Sequence, residues 1–351
     1  MTDIQYILVI RFSAMGDVAL TTPVLRSVDK GNDKMLVLTR PSFADFFFNF
    51  EGVEVFTADL ERRHKGLAGI IRLVRHINRD FNIKQVVDLH SVLRTWLIDL
   101  LYILKGTKVY RIDKGRRGKK KFIKYKNEIN LPHTTERYSD VLKRAGLNIG
   151  TPLIPSFRLS DEANRKATEI IRHNVPAGYV IIGISPFAKH RTKSWGVDNI
   201  RKLMQLIQSE HDVYFFLFGG KEEATGLESL ASSFDNCHII AGKHSTGTEL
   251  AIISRLRLMI SMDSANMHLA ALSGIRTVSI WGGTHPAVGF APAGDQEHII
   301  IQTPNSELGC RPCTVYGKGE CVRKDVKYKC LNLIDHRAVF RKIEESGLLR
   351  I

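Results

Sequence analysis

Asp17 is the first residue of the chain whose type and position could do chemistry. It follows the apolar run YILVI (6–10) after a short stretch that contains Ser13 and Gly16, and it precedes a helix-compatible segment. A carboxylate at the end of a strand could accept a proton from a substrate hydroxyl. The same carboxylate in the first turn of a helix could instead serve only to stabilise the helix dipole. The surrounding residues leave both interpretations open.

A second candidate site lies in the loop that follows the apolar run 179–185. The loop reads SPFAKHRTKSW, so that it starts at Ser185 and brings Lys193 close to a helix that we predict to begin near Val197. Cations and backbone N–H groups at the start of a helix suit a phosphate or a diphosphate. A solvated basic loop is the alternative, but Trp195 favours a packed one.

Small and polar residues open another predicted helix, directly after the apolar run 257–263. The sequence DSANMH places Asp263, Ser264 and Ala265 at this opening and His268 about one turn later. Backbone N–H groups at such a position point toward a bound anion. His268 is either a ligand contact or a packed histidine. The next apolar run ends in WGGTHP, whose glycines allow either a nucleoside contact or a plain turn.

Alternating strands and helices position these residues. The apolar runs of the first half lie at 6–10, 35–39, 53–56, 85–89 and 108–111. The pattern restarts at 179–185, after the linker-like sequence NIGTPLIPSFRLS (148–160). Such alternation predicts parallel sheets that bind ligands at the carboxyl ends of their strands. We therefore predict an α/β fold with two Rossmann-like, doubly wound domains that face each other across a cleft.

The predicted boundaries follow from this pattern. We predict an N-terminal Rossmann-like domain of residues 1–155 and a C-terminal Rossmann-like domain of residues 156–334. Residues 335–351 form a helix that packs back on the N-terminal domain.

The charge of the chain indicates anionic partners. The 351 residues carry a formal net charge of +15, and residues 101–130 contain eleven Lys or Arg against two acidic residues. This basic stretch suits phosphate groups or an anionic membrane surface, with a solvated loop as the alternative. It lacks the interleaved aromatic residues that read bases, so we predict no nucleic-acid partner.

Four of the five cysteines lie near the end of the sequence. Cys310, Cys313, Cys321 and Cys330 have the spacing C-x2-C-x7-C-x8-C, which is compatible with a structural zinc site. Free thiols are the default expectation, and disulfides are not expected in a cytosolic chain. We therefore predict no bound metal.

Several motifs in this order resemble the heptosyltransferase family, glycosyltransferase family 9. They are ILVIRFSAMGDVALTTPVL, VVDLHSVLRT, KSW, FGGKEE, and MDSANMHLAALSG followed by WGGTHP. The resemblance covers nearly the whole chain and implies the GT-B fold. It also implies that a sugar, usually a heptose from ADP-heptose, is moved to the lipopolysaccharide core with inversion and without a metal. The chain has no D-x-D motif, which agrees with transfer that requires no metal or cofactor.

The resemblance implies that the domain of residues 1–155 binds the acceptor and that the domain of residues 156–334 binds the donor nucleotide. It also implies a role for each matching residue. Asp17 is the general base that deprotonates the acceptor hydroxyl, and Lys193 offsets the charge that develops on the diphosphate. Donor contacts are implied for Lys193, Asp263, Ser264, Ala265, His268 and Glu222 or its neighbour Glu223, and the loop after the run 179–185 adds Ser185 as an expected donor contact. Acceptor contacts are expected from Ser13, Gly16, Arg94, Arg116, Arg117 and Lys120. Ala265 and Asn266 stand where better-known members have Gly-Leu, so the identity of the sugar stays open.

The expected location follows from the acceptor and from the N-terminal sequence. MTDIQYILVIRF lacks the basic region and cleavage site of a signal peptide, and no apolar run in the first half reaches the roughly 20 residues that span a bilayer. We predict a cytoplasmic protein in peripheral contact with the inner membrane face. The oligomeric state stays open.

Two other functions fit part of the sequence. A GT-B transferase for another nucleotide-sugar or acceptor would share every phosphate-binding feature. A non-catalytic protein that binds a nucleotide or glycan would keep the helix openings but would not need Asp17.

Overall fold

The computed structural model describes residues 4–126 and 130–350. Its internal contacts divide the chain into two units, one of residues 1–114 and 132–158 and one of residues 115–131 and 159–351. Residues 127–129 of the basic stretch lie outside the described residues.

The described residues form short strands and helices in the predicted alternation. The strands are β1 (Gln5–Ile10), β2 (Val28–Asp29), β3 (Lys34–Thr39), β4 (Val53–Thr57), β5 (Asn82–Asp88), β6 (Lys108–Arg111), β7 (Asn148–Ile149), β8 (Val180–Ser185), β9 (Val213–Leu217), β10 (Cys237–Ile239), β11 (Leu258–Met262), β12 (Thr277–Trp281) and β13 (Ile299–Gln302). The helices are α1 (Met15–Ala19), α2 (Thr22–Arg26), α3 (Gly66–Asp80), α4 (Leu93–Ile103), α5 (Arg116–Tyr125), α6 (Thr134–Arg144), α7 (Asp161–Asn174), α8 (Val197–Glu210), α9 (Ala224–Ala231), α10 (Thr246–Ile253), α11 (Ala265–Leu272), α12 (Lys329–Asn332) and α13 (His336–Glu345). Short 3₁₀ helices lie at Pro41–Phe47, Arg191–Lys193, Lys221–Glu223 and Pro286–Val288.

The first unit is built on a parallel sheet in the order β4-β3-β1-β5-β6. Strand β1 lies at the centre because its run ILVI is apolar on both faces and buried on both. The chain order reverses between β1 and β5, and parallel α/β sheets bind ligands at such a switch point. Strands β2 and β7 form a separate antiparallel pair, which the sequence pattern did not predict.

The second unit repeats this plan with the order β10-β9-β8-β11-β12-β13, again all parallel. Its switch point lies between β8 and β11. The apolar faces of α8 and α9 pack with these strands in one buried cluster that includes Leu203, Ile207 and Leu227. Both units therefore confirm the predicted Rossmann-like α/β fold. Strand β13 lies outside the predicted runs.

By its contacts the basic segment 115–131 groups with the second unit, whereas the prediction placed it in the domain of residues 1–155. Most of this segment is the helix α5, where we expected a loop. The Phe122 ring packs 5.3 Å from the His285 ring, and Leu131 donates its N–H to the carbonyl of Ala287 at 2.8 Å. Lys119 is buried, with its ammonium 4.1 Å from the centre of the Phe290 ring. These contacts hold α5 to the loop after β12.

The C-terminal helix also departs from the prediction, which placed it on the N-terminal domain. Val339 and Ile343 lie one turn apart on α13, and both are buried in the core of the second unit. Nε2 of His211 lies 2.6 Å from Oε1 of Glu344, and this contact joins α13 to the end of α8. The apolar stripe of α13 therefore completes the second unit.

No helix among residues 4–126 and 130–350 is both long and apolar enough to cross a membrane.

Candidate active site

Asp17 lies in the first turn of α1, directly after the exit of β1. Its Oδ2 accepts the N–H of Ala14 at 3.2 Å and lies 2.8 Å from Nη2 of Arg11. The Asp17 side chain keeps 30% of its exposure, whereas that of Arg11 keeps only 8%. Both contacts use Oδ2. The carboxylate therefore caps α1 and at the same time remains accessible to a ligand.

Buried groups fix Arg11 and so the position of Asp17. Arg11 donates from Nη1 to the carbonyl of Leu89, and its guanidinium lies 5.8 Å from the centre of the Tyr138 ring. The Tyr138 hydroxyl donates to the backbone carbonyl of Asp17 at 3.0 Å. Burial raises the pKa of Tyr138, so it stays a neutral donor at physiological pH. The buried side chains of Arg11 and Tyr138 thus hold Asp17 from two sides.

Ser13 and His90 meet at the switch point of the first sheet. The Ser13 Oγ lies 3.3 Å from Nε2 of His90, and these residues follow β1 and β5 respectively. Burial, followed by the charge of Arg11, lowers the pKa of His90 to about 3, so the ring is neutral near pH 7. Asp88 at the end of β5 accepts the N–H groups of His90 and Ser91 at 2.8 Å. The buried Asp88 therefore shapes this loop.

In the second unit, Lys193 Nζ lies 2.8 Å from Oδ2 of Asp263. The same oxygen accepts the Thr284 hydroxyl at 2.7 Å. Both charged side chains are largely buried. Asp263 therefore joins the 3₁₀ segment that carries Lys193, the end of β11 and the loop after β12.

A buried arginine, Arg311, holds the loop that carries Thr284. Arg311 is 1% exposed and donates to the carbonyls of Gly282 and Thr284, at 2.9 Å each. It also donates to the side chain of Gln302 at 2.9 Å. Arg311 thus fixes the glycine loop that presents Thr284 to Asp263.

The start of α11 lies at the switch point of the second sheet. Asn266 in its first turn donates from Nδ2 to Oγ of Ser185, which ends β8, at 2.9 Å. Ser264 precedes the helix, and its Oγ lies 3.0 Å from Oγ of Ser261. The first N–H groups of a helix have no partner inside that helix. The structure therefore brings Ser185, Asn266 and a helix N-terminus together, with His268 buried on the same helix.

Glu222 and Glu223 have different surroundings. Oε2 of Glu223 accepts the N–H of Gly220 at 2.8 Å, and the partial burial of this side chain raises its pKa. Glu222 is exposed, and its carboxyl group lies against the open side of Gly220, within 2.5 Å of where a Cβ would stand. Glu223 therefore closes the turn after β9, which leaves Glu222 as the better candidate for a ligand contact.

The predicted acceptor residues are divided between the units. Ser13, Gly16 and Arg94 belong to the first unit, where Gly16 is buried in α1 and Arg94 is exposed on α4. Exposed side chains on α5, in the second unit, belong to Arg116, Arg117 and Lys120.

All five cysteines are free thiols. In the part of the chain that the structure describes, no group of three or more His, Cys, Asp or Glu side chains is placed to hold a metal ion. Two of the thiols make hydrogen bonds with the backbone. Cys313 donates to the carbonyl of Gly283 at 3.7 Å, and Cys321 accepts the N–H of Tyr328 at 3.2 Å.

Sequence reasoning missed Arg11, His90, Asp88 and Arg311. Three of them carry the signal of a polar residue at or just after the end of a buried strand, as in YILVIR and VVDLH. Arg311 has no such signal, because it lies in the cysteine-containing segment far from any predicted strand end.

The family model described as glycosyltransferase family 9 (heptosyltransferase) matches residues 82–320. The fold is similar to that of a glycosyl transferase family 9 structure from Veillonella parvula, with a TM-score of 0.78 and 21% identity over 100% of this chain and 99% of that one. It is also similar to the E. coli ADP-heptose lps heptosyltransferase II (TM-score 0.70, 15% identity, 98% of both chains). A third similar structure is E. coli heptosyltransferase WaaC with ADP (TM-score 0.65, 16% identity, 97% and 99% of the chains). A search of curated proteins found no match.

Proposed function

This chain belongs to glycosyltransferase family 9, the heptosyltransferase family, and from that premise we propose that it moves a heptose from an ADP-sugar to the lipopolysaccharide core. It is a glycosyltransferase with a GT-B fold. The observation that carries the proposal is the buried ion pair of Lys193 and Asp263 beside the N-terminus of α11. A cation and a helix start at one sheet edge suit a diphosphate.

The donor contacts follow from this arrangement. Lys193 and the first N–H groups of α11 would bind the diphosphate of ADP-heptose, and Glu222 would accept from the ribose hydroxyls. As the bond between the anomeric carbon and the diphosphate oxygen breaks, negative charge develops on ADP. Fixed cationic and N–H donors at that oxygen stabilise this charge. ADP then leaves with the electron pair of the broken bond.

Asp17 is the proposed base. The acceptor oxygen attacks the anomeric carbon from the face opposite ADP, which inverts that centre, and its proton passes to the Asp17 carboxylate. The exposure of Asp17 and its fixation by Arg11 support this role. The reaction would need no metal and no cofactor.

We propose an acceptor surface and a location on the grounds of charge. Arg94 on α4 and Arg116, Arg117 and Lys120 on α5 are exposed cations that would bind phosphate groups of the acceptor. The protein would work in the cytoplasm in peripheral contact with the inner membrane face.

The first experiment compares the wild type with Asp17→Ala in the presence of ADP-heptose and deacylated lipopolysaccharide core. We expect the wild type to release ADP only with acceptor present. We expect Asp17→Ala to bind ADP normally but to turn over at least roughly 100-fold more slowly. Equal activity of both proteins would leave Asp17 as a helix cap only.

Glu136→Ala is the matched control. Glu136 accepts the N–H of His133 at 3.2 Å at the start of α6, which is the capping contact that Asp17 makes with Ala14. Glu136→Ala should therefore lose the cap and keep its turnover. If both variants lose turnover equally, loss of a helix cap explains the effect and the base assignment fails.

A different transferred sugar is the second candidate, because Ala265 and Asn266 stand where the better-known members have Gly-Leu, and Asn266 donates to Ser185. Initial rates with a panel of ADP-, UDP- and GDP-sugars would decide it. A preference for a sugar other than heptose would replace the substrate and retain the mechanism.

A further inference from the structure

Helix α4 exposes a stripe of large apolar side chains. Five residues, each between 41% and 80% exposed, occupy positions at helical spacing: Leu93, Trp96, Leu100, Ile103 and Leu104. Intervals of three and four residues place them on one side of the helix. The other side is buried in the first unit through Ile98, Asp99 and Tyr102. A continuous exposed apolar surface of this kind marks an interaction site.

The exposed charge of the segment that carries this stripe is mostly positive. Between residues 91 and 113 the exposed charged side chains are four cations, Arg94, Lys105, Lys108 and Arg111, and one acid, Asp113. The other acidic residue in this range, Asp99, is fully buried and pairs with Arg111 at 2.5 Å. The apolar stripe is therefore flanked by cations, a combination that suits an anionic surface with an apolar interior.

We propose that the exposed side of α4 is the surface by which the protein binds an anionic lipid bilayer. The leucines and Ile103 would enter the boundary between headgroups and acyl chains, while the flanking cations contact lipid phosphates. Trp96 suits that boundary because its ring is apolar and its Nε1 donates to Ser91 at 3.1 Å. This surface is distinct from α5, whose exposed side carries mainly cations and lies in the second unit.

A second copy of this chain fits the stripe less well. In a two-fold symmetric dimer the same patch faces itself. The cations that flank α4 would then face the same cations of the other copy, with Asp113 as the one exposed acidic residue between 91 and 113 to compensate. An anionic bilayer complements both the apolar side chains and the charge.

The test is co-sedimentation of the full chain with phosphatidylcholine vesicles that contain no or about one third phosphatidylglycerol. The triple variant Leu93→Gln, Leu100→Gln, Leu104→Gln should bind the anionic vesicles at least tenfold more weakly. Lys105→Gln with Lys108→Gln should reduce binding to anionic vesicles and leave the weaker binding to neutral vesicles unchanged. This second variant keeps the test valid if the triple variant folds poorly.

A matched control substitutes exposed apolar residues elsewhere, as Leu67→Gln, Val322→Gln, Leu333→Gln, and should bind like the wild type. The proposal is overturned if the wild type binds no vesicles or if the α4 triple variant binds as well as the control. It is also overturned if sedimentation velocity shows a lipid-independent wild-type dimer that the α4 variant abolishes without any change in vesicle binding.

The inference rests on the proposed function in one respect: the proposed acceptor is part of a membrane lipid. An assay of ADP release with the water-soluble deacylated acceptor tests the transferase activity without the membrane surface, because that assay contains no bilayer. The α4 triple variant should keep wild-type turnover in it. Vesicle binding without turnover would overturn the proposed function alone, and turnover without vesicle binding would overturn the docking surface alone.

Discussion

The ammonium of Lys193 lies 2.8 Å from the carboxylate of Asp263, and solvent reaches little of either side chain. Burial of two charges costs about as much as their attraction returns, so such a pair is weak support for stability. It does fix Lys193 Nζ in one position at the edge of the second sheet. This fixed position of the ammonium agrees with the proposed role of Lys193 as a cation that binds the diphosphate of the donor.

The variant Thr284→Val tests whether the Thr284 hydroxyl holds the carboxylate of Asp263 in place. The substitution keeps the side-chain shape but removes the donor to Oδ2 of Asp263, in a fully buried position. We expect the free energy of unfolding of the second unit to fall by about 1.5–3 kcal/mol, the usual cost of a hydrogen bond to a charged group. Urea unfolding followed by fluorescence measures this change.

Thr284→Ser is the control for that substitution, because serine keeps the hydroxyl and loses only a methyl group. It should retain most of the stability and most of the affinity for ADP. If the valine and serine variants behave alike, the hydroxyl does not hold Asp263.

Substitutions of the adjacent residues Glu222 and Glu223 should have different effects on stability and on donor binding. Glu223→Ala removes the acceptor of the Gly220 N–H, so it should lower the midpoint temperature of unfolding with a modest effect on turnover. Glu222→Ala removes an exposed carboxylate and should leave stability unchanged. It should raise the KM for the donor roughly tenfold, as expected for one lost hydrogen bond to a charged group. Thermal unfolding and initial rates on the same preparations distinguish them. The reverse pattern would assign the ribose contact to Glu223.

The strand ends could be predicted because buried parallel strands leave continuous apolar runs in the sequence. Each run in YILVI, VVDL, YVIIGIS and RLMISMD became a sheet strand, and the residues directly after each run gathered at a switch point. The Ser185–Asn266 contact follows from this rule, since these residues flank β8 and β11. Strand β13 was missed because its short run IIIQ lies among loop residues.

The position of α5 could not be read from the sequence. A run of cations predicts a solvated loop, yet Lys119 is buried against the Phe290 ring, which lies 171 residues further along the chain. A contact of an ammonium with an aromatic face depends on tertiary geometry and leaves no periodic signal. The same holds for Arg311, which satisfies its donors on backbone carbonyls of a distant loop.

His90 gives a pH-dependent prediction for the first unit. Burial and Arg11 lower its folded-state pKa from 6.5 to about 3. Between these two values the unfolded chain binds a proton that the folded chain does not, so His90 makes stability fall as the pH drops below 6.5. The slope is at most about 1.4 kcal/mol per pH unit, and above pH 6.5 the contribution is complete and constant.

The comparison of the wild type with His90→Gln isolates this effect. The difference in unfolding free energy between them should shrink by roughly 2–3 kcal/mol from pH 6.5 to pH 4.5, because glutamine does not titrate. Ser13→Ala is the control, since it removes the hydroxyl 3.3 Å from the ring but keeps the imidazole, and its pH dependence should follow the wild type. A difference that stays constant over this range would mean that the ring is protonated in the folded protein. Ser13 and His90 would then lie in a wetter and more open switch point than the burial of His90 indicates.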